Sequence, residues 1–77
     1  MYKRQGGERN LSEIDRLIIK ILKEEGKPIS TYMLTKKIGI SWATVNIHCH
    51  KLMSAGKISG EMRESISGRK MFWWIER

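Results

Sequence analysis

The run STYMLTKKIGISWATVNIHCHKLMSAGKISG, residues 30–60, carries punctuation at each end and once in the middle. Ser30 is placed to cap a helix from Thr31 to about Lys37, with Leu34 and Ile38 turned inward. Gly39 supplies the positive-φ residue that stops it. Ser41 then caps a further helix, and Gly56 ends that one after Ala55. Two helices joined by a tight glycine turn form a helix-turn-helix unit.

Upstream, NLSEIDRLIIKILKEEG, residues 10–26, offers two overlapping capping boxes, Asn10 with Glu13 and Ser12 with Asp15. Leu11, Ile14, Leu17, Ile18, Ile21 and Leu22 follow at three-and-four spacing, which predicts an amphipathic helix with Ile19 left over on its other side. Gly26 closes it, and Pro28 makes the following Ile29 extended. Residues 1–9, with Lys3, Arg4 and Arg9 around Gly6-Gly7, read as a flexible basic tail. Downstream of Lys57 the period changes to two: Ile58, Gly60 and Met62 alternate with Ser59, Glu61 and Arg63. Ser65 to Gly68 reads as a turn, and Arg69 to Ile75 as a second strand. On that strand Met71, Trp73 and Ile75 share one face, Phe72 and Trp74 the other. The expected fold is α+β, three helices followed by a C-terminal two-stranded β-hairpin, in one domain over residues 10–77.

A chain of 77 residues supports one small core and leaves no room for a sensing domain or large pocket, so no small-molecule effector is expected. Lys and Arg total 15 against 8 acids, a formal charge of +7 that suits a polyanionic partner. The excess is spread along the chain, so folding must gather any basic face. Cys49 is the single cysteine, which excludes an intrachain disulfide. No apolar run follows Met1 at signal-peptide length and none approaches a membrane span; a cytoplasmic protein without membrane contact is expected. The histidines have no nucleophile or carboxylate at a catalytic spacing, and no glycine loop is built to cradle phosphate, so neither enzyme activity nor a cofactor is expected. Nor is a metal: His48, Cys49 and His50 point about 100° apart on a helix and cannot close around one ion.

In Ile38-Gly39-Ile40-Ser41, Thr44-Val45, Leu52 and Gly56-Lys57-Ile58, with EIDRLIIKILKEEGKPIS ahead of them, the chain resembles winged helix-turn-helix DNA-binding transcription regulators. The resemblance implies a helix read into the major groove of double-stranded DNA and a hairpin wing beside it. It departs at Ile47, where relatives often carry an arginine. It also lacks the extra C-terminal helix that many relatives use to dimerise. A homodimer is instead expected through leftover apolar surface: Ile19, Phe72, Trp74 and Tyr2.

Projection of the helix from Ser41 places Val45, Cys49, Leu52 and Met53 on a core stripe with His48 at its edge. Trp42, Ala43, Asn46, Ile47, His50 and Lys51 lie opposite. No Asp or Glu occurs between Gly39 and Gly60, as a helix entering a polyanionic groove requires. Asn46 is suited to adenine, His50 and Lys51 to guanine or backbone oxygens, and Ile47 to a thymine methyl. Ser41 and Thr44, at the helix N-terminus, are expected to bind phosphate. The fold implied by the resemblance adds Lys36 and Lys37 on flanking backbone and Arg63, Arg69 and Lys70 on a wing over residues 63–70, with its tip at Ser67-Gly68-Arg69. Two rival readings use the same surface: a protein-interaction module working through the aromatic hairpin, and an RNA or single-strand binder stacking bases on Trp42 and Trp74.

Overall fold

The computed structural model describes residues 11–76. Their order is α1 (Glu13–Glu25), β1 (Ile29–Ser30), α2 (Thr31–Ile38), α3 (Trp42–Ser54), β2 (Ser59–Ser65) and β3 (Gly68–Trp74). The expected tail, Tyr2 and the Asn10 capping option lie outside these residues.

Local capping sets every helix boundary. At α1 the Ser12 hydroxyl accepts from the Asp15 amide at 3.1 Å, while the Asp15 carboxylate accepts from the Ser12 amide at 3.0 Å. Gly26, at φ 67°, ends the helix by donating to the Leu22 carbonyl. Ser30 and Ser41 cap α2 and α3 through the amides of Met33 and Thr44. The turn between those helices is Gly39, at φ 86°. Gly56 and Lys57 close α3 with paired bonds to the Met53 and Leu52 carbonyls, the two-bond arrangement that satisfies carbonyls left over at a helix end.

The sheet has three strands in the order β1-β3-β2, one more than the hairpin the sequence announces. Ile29 and Ser30 pair antiparallel with Trp73 and Phe72, so a stretch too short to show alternation covers the free edge of β3. In the hairpin Gly60 opposes Trp73, Met62 opposes Met71 and Glu64 opposes Arg69 on the face toward the helices. The turn spans Ser65 to Gly68 as expected, but its tip precedes the expected Ser67-Gly68-Arg69. Ile66-Ser67 forms the tip, Gly68 takes φ 116° behind it, and Arg69 is already back in the ladder. A turn of two negative-φ residues followed by a positive-φ glycine keeps the twist of the strands.

Ile18, Leu22, Leu34, Val45, Cys49, Leu52 and Trp73 form the core, closed by Ile29 and Ile58. Helix α1 is rotated relative to the sequence reading: Leu17 is 38% exposed, whereas Ile19 is half-buried against the core. At about 100° per residue, Leu11, Asp15, Ile18 and Leu22 span only about 60° of arc. Ile19 borders that arc and Leu17 lies well outside it. The stripe therefore takes in a fully buried aspartate, at its limit on the side of Ile19.

The Trp73 ring lies directly on Gly60. A Cβ at residue 60 would fall inside the ring's van der Waals surface and 3.0 Å from the Met71 methyl. Gly60→Ala is expected to cost about 2 kcal/mol by overpacking a core with no slack. Thermal denaturation checks this; a loss below about 0.5 kcal/mol would show that the ring has room to move.

Candidate nucleic-acid interface

The N-terminal turn of α3 is open to solvent. The Ser41 hydroxyl accepts from the Thr44 amide and donates to the Thr44 hydroxyl at 2.9 Å, leaving the Thr44 O–H as an unspent donor among the described residues. Beside it Trp42 is 54% and Ile47 67% exposed, with Ala43 and His50 also exposed and Asn46 half-buried. The expected outer stripe is thus the outer stripe of the folded helix. His50 is steadied there by an edge-on contact with Trp73, centroids 5.0 Å apart.

Lys51 is the exception. Its ammonium lies 2.7 Å from one oxygen of the buried Asp15 carboxylate, and the His48 Nδ1–H donates to the other oxygen at 2.7 Å. Burial alone would push this carboxyl up. The bonds from Lys51, His48 and the Ser12 amide outweigh it and hold the group at about 2. Lys51 and His48 therefore fasten α3 to α1, and Lys51→Ala would cost stability as well as charge. The sequence does not reveal this bond, because the partner sits 36 residues away and reads there only as a capping residue. On the inner face, the Cys49 thiol is fully buried and pushed up to about 12 by burial and by the Asp15 charge, which leaves it inert.

The remaining cations differ in how far they are engaged. Lys36 sits over the Tyr32 ring at 5.4 Å. Lys37 pairs with Glu25 at 3.2 Å and borders a hollow with Phe72, away from Trp42. Arg63 pairs with Glu61 and lies over the Phe72 ring at 4.9 Å, on the outer face of the sheet. Arg69 pairs with Glu64 at 3.4 Å, both side chains being largely exposed, and Lys70 has no ion pair with any described residue. Exposed pairs of this kind are worth at most about 1 kcal/mol and exchange readily for a phosphate.

Three elements meet at one place. Tyr32 from α2, Trp42 from α3, and Arg69, Lys70 and Met71 from β3 line a cleft of about 370 Å³, floored by Ser30 and Thr31. Tyr32 was not foreseen. Its position in the first turn of α2 was the available signal, since helix N-termini attract anions. The opposite, outer side of the sheet carries less free apolar surface than its sequence implies. Phe72, Trp74 and Ile19 are all half-buried, Arg63 covers Phe72, and the Trp74 indole N–H donates to Glu76 at 3.1 Å.

Three helices with a glycine turn between the last two, followed by an antiparallel hairpin that shares a cleft with them, define a winged helix-turn-helix domain. The chain belongs to the winged helix-turn-helix DNA-binding family, whose model matches residues 11–59, from just before α1 to the first residue of β2. DNA is accordingly its partner class. No curated protein and no solved structure matches the chain. Among the described residues no helix is long and apolar enough to cross a membrane, and no group of three or more His, Cys, Asp or Glu is placed to hold a metal ion.

Proposed function

We propose that the protein is a sequence-specific double-stranded DNA-binding regulator of transcription, acting in the cytoplasm. In this reading the exposed face of α3 enters the major groove and residues 63–70 lie along the adjacent backbone or minor groove. The observation that carries it is the shared cleft: the first turns of α2 and α3 open onto the same concavity as Arg69 and Lys70. A phosphodiester strand running between groove-bound helix and wing would pass through that concavity. Asn46, Ile47 and His50 then face base edges, and the Thr44 O–H and Arg69, Lys70 and Arg63 take phosphates. A homodimer through Ile19, Phe72 and Trp74 has only half-buried side chains to draw on.

The test is affinity for a random duplex and for matched single-stranded DNA at 50 and 200 mM salt. With about four phosphates neutralised, duplex affinity is expected to fall about 100-fold across that range. Absence of duplex binding at the lower salt would transfer the reading to a protein-interaction module.

A further inference from the structure

Trp42 is a large apolar side chain with more than half of its surface left open. It is 54% exposed, Tyr32 is 59% exposed, and no ring contact joins the two across the cleft. The Trp42 indole N–H has no partner among the described residues. One face of Tyr32 is taken by Lys36, so the free aromatic surface belongs chiefly to Trp42. No acid lines the cleft, while Arg69 and Lys70 stand at its edge. A volume of about 370 Å³ lies at the lower end of ligand sites, which run from about 300 to 1,000 Å³. Aromatic wall, unspent N–H donor and the Arg69 guanidinium on the helix-side face of β3 together match a base carrying a phosphate, while Lys70 shares the outer face with Arg63. Trp74, the other candidate for stacking, has Glu76 at its indole and repels a nucleotide.

We infer that this cleft is a subsite for one unpaired nucleotide of a bound duplex, at an overhang or bulge, with the base on Trp42 and the phosphate on Arg69. The inference rests on the DNA-binding reading above and deepens it from duplex recognition to recognition of an interrupted duplex. The cleft adjoins the N-terminus of α3, so a nucleotide tethered to DNA held by that helix is presented at high effective concentration. A free nucleotide would have only one open ring face and one exposed cation to hold it.

The experiment compares three fluorescein-labelled 20-base-pair duplexes: blunt, with a single unpaired adenine overhang, and with an abasic residue in its place. The last two carry the same charge. Stacking on an aromatic side chain predicts about tenfold tighter binding of the adenine overhang than of the abasic one. Trp42→Ala should bring that ratio to one, and Trp42→Phe should largely keep it. A ratio of one in the unaltered protein, with blunt-duplex binding and its salt dependence intact, would overturn the subsite and leave the DNA-binding reading standing. Failure to bind any of the three at 50 mM salt would overturn both. Adenosine monophosphate that abolishes the overhang preference at micromolar concentration would identify a free nucleotide as the occupant and overturn the tethered one.

Discussion

Trp73→Ala should lose about 3–5 kcal/mol of stability, the usual cost of emptying a large buried aromatic site. A chain of this length is expected to have about 4–12 kcal/mol in all, so the variant should be largely unfolded at 37 °C. The size of the effect follows from what meets at the ring. Trp73 is fully buried, pairs with Gly60 across β2 and with Ile29 across β1, and takes the His50 edge on its other side. Its indole N–H donates to the Thr31 hydroxyl at 2.8 Å, fixing the first residue of α2 to the sheet. One side chain thus ties sheet, α2 and α3 together. Trp73→Phe keeps most of the apolar area and loses that bond, at about 1–2 kcal/mol. Urea unfolding followed by circular dichroism separates the two variants. A slope near 1 kcal/mol per molar turns the alanine loss into a midpoint shift of about 3 M or more. A shift under about 1 M for Trp73→Ala would mean that the helices hold together without the sheet.

Asp15→Ala should cost about 3 kcal/mol, combining a lost capping box with two donors left facing an empty site. The same carboxylate gives the fold its acid sensitivity. Its value of about 2 lies below the ordinary 3.8, so its stabilisation is complete above pH 4 and disappears as the pH falls from about 4 through 2. The amount lost over that window is about 2 kcal/mol. Stability measured at pH 7, 4 and 2 should therefore decline for the unaltered protein more than for Asp15→Ala. Parallel pH profiles would show that other carboxylates govern acid unfolding.

Most of the fold was legible because its signals are local. Ser12, Ser30 and Ser41 cap helices within three residues, Gly26, Gly39 and Gly56 end them, and period-two alternation marks β2 and β3. The helix-turn-helix and the outer stripe of α3 follow from these alone. The parts that were misread depend on distant partners. Asp15 reads as a capping residue, and only the fold brings His48 and Lys51 to it, so the ion pair of Lys51 could not be read from the sequence. Leu17 and Ile19 changed places because the buried stripe extends over that polar residue toward Ile19, and hydrophobic periodicity discounts an aspartate. The hairpin turn at Ser65 to Gly68 was legible, and only its tip falls on Ile66-Ser67 instead of Ser67-Gly68-Arg69. Gly60 looked like one member of an alternating strand, and its contact with Trp73 exists only across the register.

The inward bond of Lys51 has a bearing on how discrimination and attraction are distributed. With that ammonium spent on Asp15, the outer face of α3 offers amide, imidazole and apolar groups but little positive charge, while Arg63, Arg69 and Lys70 stand exposed on the hairpin. In the proposed binding mode, attraction to DNA in general and choice among DNA sequences fall to different elements of the chain. The two properties should be separately adjustable. Substitutions on the hairpin would change how strongly binding depends on salt at every site alike, and substitutions at Asn46 or Ile47 would change which site is preferred at nearly constant salt dependence.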